Sequence, residues 1–355
     1  MHNIFHPGAV TSLELTGQGK KLQQMNKRLN IIFIAITILA VFFTSACTEE
    51  TAEEDKGAKE QRFFDIYAAS RYPDVEPLSS GLYFVENTVG TGASPADDDW
   101  VLINHVNSII PDEHVYESYI ENVADDNNLD NNKVAIYGPF KFLNGITNAG
   151  HSEGLGLMRE GGEATMFFTS DLGFGSTGNG TVGAYQSLKY EVELLEVIPD
   201  MDAYELAKIA SYMDTVAVYD TIHDPATDAV LYYMIDYTTD GAPVAIDSTI
   251  EVAYRGYLTD ERQFDESAED APYEFKVGDY ESESSPIAGW HLGLEKFKDG
   301  EKGRLVIPYQ LAYGEEGRTS GKIRTIPPSE TLVFDVEIVS VESGGDDEDD
   351  TGPEE

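Results

Sequence analysis

The chain reads as an α+β protein built from two copies of one strand-rich unit, each with a single short helix covering one face of a curved antiparallel sheet. Three observations predict this: segments recur in order along the chain, strand segments alternate apolar and polar residues with period two, and one amphipathic helical stretch lies among the strands. The repeat comes first, because overlooking it would mis-assign the whole fold. "LYFVENTVGTG" from Leu82 matches "LYYMIDYTTDG" from Leu231, and "VLINHV" from Val101 matches "IEVAYR" from Ile250. "EHVYES" then answers "RQFDES", "GLGLMREGGEATMFF" answers "GLEKFKDGEKGRLVI", and "LKYEVELLEV" answers "LVFDVEIVSV". The spacing between copies drifts, as loops of unequal length produce.

In chain order, residues 1–46 read as a signal peptide, with Met25 the better start. Lys27 and Arg28 precede an apolar run from Ile31 to Phe43, too short for a comfortable membrane span and suited to a signal-peptide core. Thr44-Ser45-Ala46 lead to Cys47 in a pattern that resembles a bacterial lipobox, with Thr44 where leucine is commonest. A lipidated Cys47 would become the mature first residue and the membrane anchor; an uncleaved single-span anchor is the other reading. Residues 47–60 read as an acidic, disordered tether. The acidic pair behind the cysteine also resembles a surface-export signal, and a plain solvated tether fits equally.

The first domain is placed at 61–199 and opens with a helical lead-in, "QRFFDIYAASRY". Residues 200–228, with "DAYELAKIASYM", are expected to be a helical connector. The second domain is placed at 229–342. Its helix is expected within "SPIAGWHLGLEKFKDG", with Ser285 as N-cap, Pro286 in the first turn, Trp290, Leu294 and Phe297 on one stripe, and Gly300 ending it. Its last strand follows in "RTIPPSETLVFDVEIVSVE", where Leu332, Phe334, Val336 and Ile338 alternate with Val333, Asp335 and Glu337. Pro327 and Pro328 cannot belong to that strand, since they donate no ladder hydrogen bond. Residues 343–355 read as a disordered acidic tail.

Composition narrows the function. The 355 residues carry 23 Lys+Arg against 65 Asp+Glu, a formal charge of −42. Nucleic acid is excluded as a partner, because duplex binding rests on basic side chains displacing counterions. Cys47 is the single cysteine, which leaves no intrachain disulfide and no cysteine zinc cluster. "DLGFGSTGNGTVG" lacks the lysine of a phosphate loop, and "DDNNLDNN" lacks the glycine and closing glutamate of a calcium loop.

"VAYRGYLTDERQFDES", "PIAGW", "GEKGRLVIPYQLAYG" and "TIPPSETLVFDVEIVSVE", in this order across Ile250–Glu342, together resemble the FKBP-type peptidyl-prolyl isomerases. The resemblance implies two FKBP-like domains, each a sheet wrapped around its helix, with an aromatic pocket between them in the second. It implies catalytic positions at Tyr254, Phe264, Asp265, Trp290, Tyr313 and Phe334, with Trp290 as floor. Substrate contacts are implied at Tyr273, at the backbone N–H of Ile287, and at Ile326 on a flap stiffened by the double proline. The Tyr313 hydroxyl would hold a substrate carbonyl and Asp265 would orient Tyr254. No metal and no cofactor is implied. The segment "ESAEDAPY" after Asp265 lacks the arginine that family members often carry there, and the loops after Gly278 and Tyr313 are longer.

The first copy is eroded at these positions. His105 stands for Tyr254, Tyr116 for Phe264, Glu117 for Asp265, His151 for Trp290, Phe174 for Tyr313, and Val182-Gly183-Ala184 for Ile-Pro-Pro. It is expected to keep the fold without the catalysis. His105 and His151 lack a third ligand at metal-site spacing. The expected function is a lipid-anchored envelope isomerase acting on proline-containing polypeptide clients; a non-catalytic chaperone or Pro-motif binding lipoprotein is the alternative. No oligomeric state is indicated.

Overall fold

The computed structural model describes residues 56–130, 135–282, 285–320 and 323–343. The signal-peptide segment, Cys47 and the tail beyond Ser343 lie outside them. The chain divides into a unit ending at Phe63 and a unit from Phe64 to Glu355. Residues 56–63 of the first unit are helical, the start of α1 (residues 56–71). The tether expected to run to residue 60 is therefore helix from residue 56. It lacks an apolar period, yet "KGAKEQR" is rich in strong helix formers.

Two large antiparallel sheets of matching topology dominate the second unit. In the first sheet the neighbours run β1 (Tyr83–Thr88), β5 (Gly162–Phe168), β6 (Leu188–Ile198), β2 (Trp100–Ile109) and β3 (His114–Ser118), with β4 (Phe140–Leu143) also on β2. In the second, the order is β8 (Val230–Tyr237), β12 (Lys302–Ile307), β15 (Leu332–Glu342), β9 (Thr249–Leu258) and β10 (Gln263–Glu266), with β11 (Tyr273–Lys276) on β9. Register makes the equivalence specific: His105 lies opposite Val192 as Tyr254 lies opposite Val336. The helices α3 (Ala149–Leu157) and α5 (Ala288–Leu294) occupy corresponding places, and Leu155 and Leu294 are buried in their respective cores.

Helices also cover the backs of the sheets. Phe64, Tyr67 and Ala68 of α1 pack with Phe167 and Ile110. Ile209 and Met213 of α4 (Met201–Met213) pack with Tyr257, Val306 and Val333. Val333 is thus buried where strict alternation would place it in solvent. The expected helical connector is only partly helical, because β7 (Asp220–His223) within it pairs with β8 and extends the second sheet. Its β-branched Thr221 and Ile222 suit an edge strand, but the segment is too short to show a period.

The helix α5 starts later than expected. Its N-cap is Ile287, with no side-chain cap bond. The Ser285 hydroxyl instead donates to the Asp279 carbonyl at 2.8 Å. Phe297, expected on the helical stripe, lies beyond the helix end yet is buried. After Tyr313 the chain forms a flap hairpin, β13 (Arg318–Ser320) with β14 (Ile323–Ile326).

Candidate active site

A cavity of about 330 Å³ opens between α5 and the concave face of the second sheet. Tyr254, Phe264, Asp265, Tyr273, Ile287, Trp290, Tyr313 and Phe334 all line it, together with Ser285, Pro286 and Arg318. The volume is that of a small-ligand site. Trp290, 3% exposed, forms the hub. Its ring meets Tyr254 at 5.0 Å, Phe334 at 5.2 Å and Tyr273 at 5.9 Å, each nearly perpendicular, and Phe264 stands edge-on to Phe334 at 5.5 Å. Perpendicular packing sets positive ring edges against negative ring faces and holds every wall in one orientation.

Two backbone features create this cage. In β10, Gln263 pairs with Tyr257 and Asp265 with Gly256, so Phe264 is the extra residue of a β-bulge. A bulge re-aims side chains, and here the consecutive Phe264 and Asp265 both reach the cavity. Opposite it, Gly256 has no side chain to obstruct them. An ideal Cβ there would lie 2.7 Å from Phe264 Cζ and 2.9 Å from Phe334 Cε1.

The polar groups of the lining belong to Tyr254, Asp265, Tyr273, Ser285, Tyr313 and Arg318, and several are engaged. Tyr254 O–H donates to Asp265 Oδ2 at 3.0 Å, and Asp265 Oδ1 accepts from the Glu266 N–H at 3.0 Å. Burial, reinforced by the Asp265 charge, raises the Tyr254 pKa, so this phenol is a donor and not a base. Burial likewise raises Tyr313, against the pull of Arg318. The Arg318 guanidinium stands 5.6 Å from the Tyr313 ring centroid, a cation–π distance. Nothing in the sequence around Asp265 points to Arg318, since the arginine that family members often carry a few residues after that aspartate is missing here. The flap delivers one from a position distant in sequence.

Ser285 and His291 lie 3.0 Å apart, Oγ to Nε2, and invite a nucleophilic reading. It fails on the proton. His291 Nδ1 accepts the Gly278 N–H at 3.0 Å, so in the neutral ring Nε2 carries the hydrogen and donates to Ser285. Burial lowers the His291 pKa and keeps the ring neutral. A histidine so arranged cannot take the serine proton.

Ile326 and the double proline are placed differently from expectation. Ile326 is 2% exposed in the core and lines a neighbouring groove with Ile136 of the first domain, not the cavity. Pro327 and Pro328 are buried and do not overhang the cavity. Lacking N–H groups, they lead the chain out of the hairpin and down into the protein before β15 begins.

In the first domain the corresponding space is knitted by polar side chains. Tyr116 O–H donates to the Tyr190 oxygen at 2.9 Å, Asn148 Nδ2 donates to the same oxygen at 2.8 Å, and Thr147 Oγ1 pairs with His151 Nδ1 at 2.8 Å. By register Asn107 occupies the Gly256 position, and its amide donates to Glu117 at 2.9 Å. Both histidines are neutral: burial lowers His105, and burial followed by His105 lowers His151 to about 3. Among the described residues no group of His, Cys, Asp and Glu is arranged to hold a metal ion, and no helix is long and apolar enough to cross a membrane.

Residues 241–339 match the family model of the FKBP-type peptidyl-prolyl cis-trans isomerases. Over 112 residues the chain is 45% identical to peptidyl-prolyl cis-trans isomerase FKBP15-2 of Arabidopsis thaliana, covering 29% of this chain and 64% of that protein. Over 117 residues it is 37% identical to the FKBP-type peptidyl-prolyl cis-trans isomerase FkpA of Escherichia coli K12, covering 33% of this chain and 39% of that protein. The chain therefore spans less than two thirds of either relative. Among solved structures, FkpA from Escherichia coli aligns with 30% identity and a TM-score of 0.32, over 41% of this chain and 64% of that one.

Proposed function

We propose that the second domain, an FKBP-type domain over residues 241–339, catalyses cis-trans isomerisation of Xaa-Pro bonds in polypeptide clients of the cell envelope. The observation that carries this reading is the cavity itself. Its walls are rings set edge to face around Trp290, and its one carboxylate, Asp265, is already engaged by Tyr254. Such a site offers an enclosure of aromatic rings in place of a nucleophile.

That is what amide rotation needs. The barrier of roughly 18–20 kcal/mol comes from resonance that gives the C–N bond partial double character. The planar amide is more charge-separated than the twisted transition state. Moving it from water into an aromatic pocket therefore raises the ground state more than the transition state. Each ~1.4 kcal/mol of that difference is tenfold in rate. The Ile287 N–H, which has no partner among the described residues, and the Tyr313 hydroxyl hold the flanking carbonyls while the prolyl ring sits over Trp290. Asp265 fixes the Tyr254 ring through its hydroxyl.

The first domain, with its corresponding space filled by hydrogen-bonded side chains, does not catalyse. The apolar run before Cys47 supports delivery to the envelope, with lipid on Cys47 as anchor. A protease-coupled assay on a short Xaa-Pro-Phe peptide tests the enzyme reading: Trp290→Ala and Tyr313→Phe should each lower kcat/KM at least ~10-fold. A wild-type rate no faster than background overturns it.

A further inference from the structure

A cluster of charge is buried beneath the double-proline turn, away from the cavity. Lys141 of β4, in the first domain, is 2% exposed. Its Nζ lies 2.7 Å from Glu205 Oε1 and 2.6 Å from Glu330 Oε2, and donates to the Ser329 carbonyl at 2.7 Å. Lys208 of α4 reaches the same two carboxylates at 3.1 and 2.8 Å. Glu205 Oε2 in turn accepts from the Thr331 N–H at 3.1 Å and its hydroxyl at 2.8 Å. Burial opposes the Lys208 charge, but Glu330 and Glu205 hold its pKa above the ordinary lysine value. Two lysines balance two glutamates, and three segments of chain meet there: β4, α4, and the turn Ser329–Thr331.

A cluster of this kind is weak support for stability but costly to break once built, so what it fixes in place is informative. The Ser329 N–H donates to the Gly314 carbonyl at 2.9 Å, and Gly314 follows Tyr313. Ser329 itself is wholly buried and holds a left-handed backbone, φ 49°, which a serine adopts only where its surroundings impose it. Thr331 leads directly into β15, which carries Phe334. On the other side, Asp202 of α4 accepts from the Tyr309 hydroxyl at 2.6 Å and the Gln310 amide at 2.8 Å. The segment bearing Tyr313 is thus gripped from two directions, one of them rooted in the first domain.

We propose that the first domain braces the pocket of the second, and that Lys141 is a positioning residue acting through Ser329 and Glu330 on the Tyr313 loop and the start of β15. This rests on reading that pocket as the isomerase site. It gives the eroded copy a role that requires neither catalysis nor client binding: it supplies a fixed cation at the root of two cavity walls.

The test uses the full chain and two readouts, kcat/KM on a short Xaa-Pro-Phe peptide and amide hydrogen exchange followed by mass spectrometry. Lys141→Met should lower kcat/KM by about 10–100-fold, the scale of a displacement near 1 Å. It should also speed exchange across Tyr309–Gly317 while β2 and β6 stay protected. Lys141→Arg keeps the charge but not the compact ammonium, and should fall between the wild type and Lys141→Met in both readouts. If Lys141→Met does not fold, the pair Lys141→Met with Glu330→Gln removes one charge of each sign and is held to the same expectation. A folded methionine variant with wild-type kcat/KM, unchanged exchange over Tyr309–Gly317, or an arginine variant as impaired as the methionine one would each overturn the proposal. If the wild type itself shows no isomerisation, the isomerase reading falls, while the exchange comparison still decides whether Lys141 holds the loop.

Discussion

Replacing Gly256 with alanine adds one methyl group and touches none of the polar groups of the site. Its Cβ would sit 2.7 and 2.8 Å from the Phe264 ring and 2.9 Å from Phe334. Carbon atoms settle at roughly 3.5–4.0 Å, so the two rings must withdraw by about 0.6–1.3 Å. Phe334 is 4% exposed and sits against Trp290 at 5.2 Å, and Phe264 sits against Phe334 at 5.5 Å, so the room open to both rings is the cavity that they line. Overpacking of this kind costs about 1–3 kcal/mol of stability, and a wall displaced by about 1 Å costs up to about 100-fold in rate. Gly256→Ala is therefore expected to remain folded, with kcat/KM in the protease-coupled assay down 10- to 100-fold by that same scale. The matching change in the first domain, Asn107→Gly, should leave kcat/KM unaltered. Wild-type kcat/KM in Gly256→Ala would refute the claim that the bulge and the glycine together set the cavity walls.

Tyr254→Phe deletes the hydrogen bond to Asp265 and should lower kcat/KM by about 3–10-fold, the worth of one modest hydrogen bond; an unchanged value would remove Asp265 from the mechanism. Trp290→Ala empties the cavity floor and should lower stability by about 3–5 kcal/mol, read as a lower denaturant midpoint. Stability should also fall in mild acid. His151 is lowered to about 3 in the folded protein by burial, so the unfolded chain takes up its proton first, near pH 6.5. Its contribution is complete above pH 6.5 and is lost as pH drops below that, by about 1.4 kcal/mol per unit and about 2 kcal/mol by pH 5. Denaturant midpoints between pH 8 and 5 measure this, and His151→Gln should make the profile shallower, with His105 and His291, also lowered by burial, supplying what slope remains. Cys47→Ala should move the protein out of the membrane fraction of expressing cells, whereas retention there would favour an uncleaved anchor.

The sequence by itself carried the repeat and the α+β class, which depend on local pattern, and through the order of its motifs the resemblance that implies the cavity residues. Tyr254, Trp290, Tyr313 and Phe334 are legible as cavity residues because the motifs that hold them, in their order along the chain, resemble the FKBP-type isomerases, and that resemblance implies the positions. Contacts between segments remote in sequence were decided only by the tertiary structure. Nothing near Asp265 announces Arg318, which arrives on the flap. Alternation along β15 puts Val333 in solvent, but α4 covers it. The double proline reads as a stiff lid over the cavity and is instead buried, with the turn after it held by Lys141 from the other domain. Periodicity reports which face of an element is apolar; it does not report what packs there, since burial and the pairing of charges depend on elements far along the chain.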